Sequence, residues 1–190
     1  RFDGSVLAYQ AAIRMTPGQD FYYLFLGRSL MELARQSEER TVTPPYDPAR
    51  ENPVDMSRER LSALDRSDLI RASLVVLERA RDLNPLNTDH YANLGRLHRF
   101  WGEASGDRTK FDKADFFFKQ ATTLSPNNAQ LWNEWAIVSI LRGLPDDAEA
   151  KLLQSLALDQ RYDLTYYYQG NLYMSLGENS QDSDARLSYL

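Results

Sequence analysis

The chain has 190 residues, with 27 acidic against 22 basic side chains and a formal net charge of −5. Its 43% apolar and 26% charged content fits a folded chain and argues against wholesale disorder. The acidic balance speaks against nucleic acid as a partner, because phosphates must be met by clustered Lys and Arg. The absence of cysteine excludes disulfides, thiolate zinc sites and cysteine nucleophiles. No apolar run approaches the roughly 20 residues of a membrane span, so no direct membrane insertion is expected of this chain.

In chain order, the first predicted element is a helix over about residues 3–15, followed by Pro17. A second helix runs from Asp20 to about Glu39. The stretch at about 41–56 holds Pro44, Pro45, Pro48 and Pro53 and cannot be helical throughout. A long return helix is predicted from about Ser57 to Leu83. The next helix pair spans 88–126, with the Gly-rich, polar stretch at about 102–111 as an extended turn. An uninterrupted pair spans 129–160. The last unit, 163–190, carries a lengthened turn before a second helix at Ala185 and Tyr189. No strand is predicted. The chain opens at Arg1 rather than Met and closes at Leu190 as a helical pattern resumes, so we read a fragment of something longer.

The units repeat. Tyr23, Tyr91, Trp132 and Tyr166 are each followed four residues later by a small residue: Gly27, Gly95, Ala136 and Gly170. Each aromatic lies six residues after a terminator, at Pro17, Pro85, Pro126 and Gln160. Five residues before each terminator stands another small residue: Ala12, Ala80, Ala121 and Ser155. Eight before it stands an aromatic or Leu: Tyr9, Leu77, Phe118 and Leu152. An aromatic followed by apolar or small residues three, four and seven positions on is one face of a 3.6-residue helix. The small residue lets a second helix approach closely, and Pro ends that second helix. Such a pair cannot bury its apolar face alone, so neighbouring pairs must stack.

This pattern resembles the tetratricopeptide repeat (TPR) family over nearly the whole chain. The hallmark residues stand at Tyr91, Leu94, Gly95, Ala114, Phe118, Ala121 and Pro126. The unit from Trp132 to Gln160 has the family's uninterrupted length but places Trp135 where Leu is usual and Gln160 where Pro is usual. The resemblance implies an all-α, right-handed superhelix of antiparallel helix pairs. Residues 1–17 would be the second helix of a preceding repeat, and units would follow at 20–85, 88–126, 129–160 and 163–190.

Enzyme signatures are missing: the sequence has no GxSxG, P-loop, GxGxxG or HExxH. His90 and His98 have no cysteine and no organised carboxylate partners, and read as surface or inter-helix residues. Asp112, Asp146 and Asp182 fall at helix starts, where an acid complements the dipole. Of the triplets Phe21-Tyr22-Tyr23, Phe116-Phe117-Phe118 and Tyr166-Tyr167-Tyr168, the members Tyr23, Phe118 and Tyr166 read as packing residues. We expect no enzyme, metal or cofactor in this chain.

The resemblance also implies that the first helices line a concave groove where ligands bind. The groove stripe includes Phe21, Leu24 and Arg28 in the first unit and Asp89, Ala92, Arg96 and Arg99 in the second. Gln130, Asn133 and Ile137 follow in the third, and Leu164, Tyr167 and Asn171 in the fourth. Arg28 and Arg96 occupy equivalent places. With Asn133 and Asn171 they could hold a carboxylate or the backbone amides of an extended peptide. The competing reading pairs the arginines with acids such as Asp89 or Glu134. The Lys/Asn pair of chaperone-tail clamps is missing. The expected function is thus a protein-interaction scaffold binding a peptide or partner subunit.

A second, narrower resemblance is to the TPR tails of bacterial O-antigen ligase/polymerase-like membrane proteins, in DFYYLFLGRSLMELA and LERARDLNPLNTDHYANLGRLHRFWGE. It would make this chain an appendage tethered to the cytoplasmic membrane, with the glycosyltransferase chemistry elsewhere. Solenoid ends without neighbours leave apolar faces, so a homo-oligomer through the regions of Tyr9 or Tyr189 is also expected.

Overall fold

Half of the connectors between the described helices end in a short polar side chain able to cap a helix. In the computed structural model, which describes residues 4–40, 42 and 44–179, they do so repeatedly. Ser57, Asp65, Asn87 and Asn128 each accept a backbone N–H from the first turn of the helix that follows. Pro145 opens another helix, at a position that needs no amide hydrogen. Gly106 and Gly143 close two more in the left-handed region, at φ of 71° and 76°.

Among the described residues these signals delimit nine helices and no strand. They are α1 (Gly4–Met15), α2 (Asp20–Gln36), α3 (Arg58–Ala63), α4 (Arg66–Leu83) and α5 (Thr88–Ser105). α6 (Thr109–Leu124), α7 (Ala129–Arg142), α8 (Pro145–Leu158) and α9 (Asp163–Asn179) follow. The closest packing is within the pairs α2/α4, α5/α6 and α7/α8. Each first helix also packs on the second helix before it, as in α1/α2, α4/α5, α6/α7 and α8/α9. First helices touch each other directly at α2/α5 and α7/α9.

Pair closure follows the small residues. A Cβ on Gly27 would lie 2.5 Å from the Leu77 side chain, and one on Gly95 would lie 2.9 Å from the Phe118 ring. Ala136 and Leu152 make the same contact in the third pair, both fully buried. In these three pairs the residue eight before the terminator therefore seats on the small residue of the preceding first helix. Ser73 Oγ adds a hydrogen bond to the Gly27 carbonyl at 2.8 Å.

Several expectations need correction, among them the extended turn at about 102–111, which is only residues 106–108 because α5 runs to Ser105 and α6 opens at Thr109. The predicted return helix from Ser57 to Leu83 is two helices, broken at Leu64 and Asp65. Asp65 caps α4 by accepting the Asp68 N–H at 2.8 Å, and the break lets both Leu61 and Leu64 face the core. α2 ends at Gln36, short of Glu39, where the Ser37 hydroxyl donates to the Leu33 carbonyl. Tyr166, read as a packing residue, is 54% exposed. The physical reason is at Gly170, where an added Cβ would meet nothing within 4 Å. No described second helix closes on α9. Ala185, Tyr189 and Asp182 lie outside the described residues.

The Pro-rich insert contributes to the core rather than hanging from it. Tyr46, Val54 and Met56 are buried in the same cluster as Val6, Ile13 and Val76. Gln10 of α1, only 1% exposed, donates to the carbonyls of Pro53 at 2.7 Å and Met56 at 3.1 Å. Arg14 donates to the Val54 carbonyl at 2.9 Å. The Tyr46 amide donates to Asp68 Oδ2 of α4 at 3.1 Å. The insert is thereby fastened to α1 and α4.

A polar clasp joins the first two units. Asp20, opening α2, accepts from Asn84 and Asn87 at 3.0 and 3.3 Å and lies 2.7 Å from the Nε2 of buried His90. Burial pushes the Asp20 carboxyl up, but these three partners outweigh it and hold it below its ordinary value. His90 and His98 are both buried between helices and neither is a surface residue.

Candidate functional site

The stripe of first-helix residues divides by burial. Leu24, Ala92 and Asn133 are 5%, 0% and 2% exposed. They form the seam between neighbouring helices, because the position after each aromatic points at the next unit as much as at open space. Phe21 is exposed, its ring 4.2 Å from that of Tyr22 and 6.5 Å from that of Phe25. Arg28 is exposed and lies over the Phe25 ring at 6.0 Å. Asp89 sits exposed in the first turn of α5. Tyr167 and Asn171 are exposed on α9.

Six of the sequence-derived stripe residues, Leu164 of α9 among them, converge on one cavity of about 200 Å³. Arg96 and Arg99 come from α5, and Gln130, Asn133 and Ile137 from α7. Glu134, Tyr162 and Tyr168 complete the wall. Phe21, Leu24, Arg28, Asp89, Ala92, Tyr167 and Asn171 do not reach it. No residue of the Pro-rich insert lines it.

Arg96 and Glu134 form a two-pronged pair, Nε to Oε2 at 2.6 Å and Nη2 to Oε1 at 2.7 Å. The Gln130 amide donates a third bond to Glu134 Oε1 at 2.8 Å. Burial works to pull the Arg96 guanidinium down, and Glu134 outweighs it, holding Arg96 above its ordinary value. Burial and then the Glu134 charge push the Tyr162 phenol up. Planar two-bond pairing fixes both side chains across the α5/α7 boundary. Asn133 donates its Nδ2 to Thr165 Oγ1 at 2.8 Å, which ties α7 to α9. Its Oδ1 is buried without a hydrogen-bond partner, and so is Arg99 Nε. The acid nearest Arg99 Nε is Glu103, one turn along the same helix at 3.9 Å.

Two wall residues, Tyr162 and Tyr168, escape the sequence reading. Tyr162 stands where Asn87 and Asn128 cap the earlier first helices, and Tyr168 stands two residues after its repeat aromatic, as Glu134 does. Counting outward from the aromatics would have found both. Among the described residues no group of three or more His, Asp or Glu is placed to hold a metal ion, and no helix is long and apolar enough to cross a membrane.

No protein-family model and no curated protein matches the sequence. Solved structures do match. TTC0263, a thermophilic TPR protein of Thermus thermophilus, superposes with a TM-score of 0.67 at 19% identity, over 89% of this chain and 71% of its own. MamA superposes with a TM-score of 0.65 at 16% identity, over 99% of this chain and 84% of its own. A variant of the O-GlcNAc transferase of Thermobaculum terrenum reaches 0.51 at 19% identity, over 90% of this chain but only 25% of its own. At these identities the likeness concerns fold. The chain is an all-α solenoid of the tetratricopeptide-repeat kind.

Proposed function

We propose that this chain is a non-catalytic interaction module that holds a peptide segment or a partner subunit along its first-helix groove. The observation carrying the proposal is the cavity between α5, α7 and the start of α9, with its mixed wall of Arg99, Asn133, Ile137, Leu164 and Tyr168. Apolar side chains there offer burial, and a few placed polar groups offer orientation, the ordinary composition of a recognition site. The insert supports the same reading, because it is bound to α1 and α4 and contributes nothing to the cavity wall.

A displayed library of random dodecapeptides, selected on the immobilised chain, tests the proposal. Selected peptides are expected to lose at least about tenfold in affinity to Ile137→Glu, which removes apolar lining and adds a charged side chain that competes with the ligand for the cavity. They are expected to bind Leu153→Ser, on the far side in α8, unchanged. Equal binding to wild type and Ile137→Glu would overturn the proposal.

A further inference from the structure

The cavity holds two arginines with different availability. Arg96 is fully engaged, with two bonds to Glu134 and a third bond to that carboxylate from Gln130. Arg99, one turn further along α5, makes no ion pair across the cavity, where the wall's acid, Glu134, is taken by Arg96. Glu103, at 3.9 Å, is beyond hydrogen-bond range, and its side chain is 43% exposed. Such a solvated pair holds Arg99 weakly. With Glu134 spent on Arg96, the wall carries one unmatched positive charge.

Asn133 supplies the complementary group. It is 2% exposed, its Nδ2 is committed to Thr165, and its Oδ1 accepts from nothing. Buried polar atoms are almost always satisfied, so an unpaired acceptor and an unpaired cationic donor on residues lining one cavity ask for a ligand that brings both a donor and an anion. An acidic residue within an extended peptide brings both, its backbone N–H and its carboxylate. A phosphate brings mainly acceptors and no amide N–H, and Glu134 in the wall repels a polyanion. Ile137 and Leu164 in the same wall accommodate apolar neighbours of that residue.

Resting on the groove reading above, we infer that this cavity recognises an acidic residue in an extended peptide, its carboxylate taken by Arg99 and its backbone N–H by Asn133 Oδ1. The side-chain carboxylate is the group assigned, and a chain-terminal carboxylate is the competing source of the same chemistry. Arg96, Glu134 and Gln130 act as positioning residues that fix the wall.

The test is an NMR titration of the isotope-labelled chain with three pentapeptides: acetyl-Ala-Leu-Glu-Leu-Ala-amide, its Gln analogue, and acetyl-Ala-Leu-Gln-Leu-Ala with a free carboxyl end. At millimolar concentration, suited to weak short ligands, the Glu peptide is expected to shift the Asn133 side-chain amide and the Arg99 Nε–H. The Gln amide should bind at least about tenfold more weakly, the difference a charge-assisted bond makes. Arg99→Gln should abolish that discrimination while leaving the helical circular dichroism unchanged. Equal binding of the Glu and Gln amides overturns the inference. Binding of the free-carboxyl peptide in preference to the Glu amide overturns the side-chain assignment. Shifts confined to Phe21 and Arg28 overturn this inference and leave the groove reading standing, whereas no shift on α2, α5, α7 or α9 with any peptide removes both.

Discussion

The Tyr91 hydroxyl donates a hydrogen bond to the Pro85 carbonyl at 3.0 Å. The same bond recurs from Tyr23 to Pro17 at 3.2 Å, from Trp132 Nε1 to Pro126 at 2.8 Å and from Tyr166 to Gln160 at 3.0 Å. The constant offset of six residues is therefore a physical contact. Each terminator lies just past a helix end, where carbonyls lack an intrahelical partner, and the next first helix supplies a donor. Only a carbonyl is needed, so Gln160 serves where the other units have Pro. Tyr91→Phe is expected to cost about 1 kcal/mol in urea unfolding, whereas Gln160→Pro should leave the Tyr166 bond intact.

Gly95 and Gly170 are equivalent in sequence and opposite in surroundings. A Cβ on Gly95 would press into the Phe118 ring at 2.9 Å, so Gly95→Ala should destabilise by about 1–3 kcal/mol through overpacking. A Cβ on Gly170 would meet nothing within 4 Å. Gly170→Ala should be neutral or stabilise by up to about 1 kcal/mol through helix propensity. Thermal unfolding of the two variants checks the contrast.

His98 sets a pH dependence. It is 7% exposed and stacks between Trp101 and Phe117, with ring centroids 5.9 and 5.4 Å away. Burial, then the positive charges of Lys110 and Lys113, push its imidazole down to about 4 from 6.5. Between those values the unfolded chain binds the proton and the folded chain does not, so stability rises with pH across this window. The contribution is complete above pH 6.5, is lost as pH falls toward 4, and amounts to at most about 3 kcal/mol. His98→Phe keeps a stacking ring and should flatten the profile of unfolding free energy between those two pH values.

Arg96 and Glu134 lock neighbouring units, with side chains 25% and 14% exposed. Glu134→Gln leaves the Arg96 charge partly buried and unpaired, and should cost about 2 kcal/mol. The double change of Arg96 and Glu134 to Gln should recover part of that loss. A double-mutant cycle by denaturant unfolding measures the coupling, and strict additivity would mean the pair fixes nothing.

The helix pairs were legible because their determinants are local and periodic: Tyr91, Gly95, Phe118 and Pro126 each do one geometrical job at a fixed spacing. The break between α3 and α4 was missed: Asp65, three residues before Asp68, carries a capping side chain, but helical apolar spacing on both sides concealed it. Tyr46 was not legible. A Pro-rich stretch announces a loop, and burial of its aromatic depends on Gln10 and Asp68 receiving it from far along the chain. At the groove, Arg96 and its competing partner Glu134 could both be named from the spacing. The unpaired state of Arg99 Nε and Asn133 Oδ1 could not, because a missing partner is a property of the neighbouring helices rather than of either residue. Leu24 and Ala92 share the stripe of Arg28 and Arg96, yet their small reach leaves them within the seam.

Hydrogen exchange of the chain with and without a display-selected peptide tests the central claim most directly, since it reads every helix at once. The account predicts slowed exchange concentrated in α5, α7 and the first turns of α9, with α4, α6 and α8 unchanged. Protection centred on the second helices or on the 44–56 segment would contradict it.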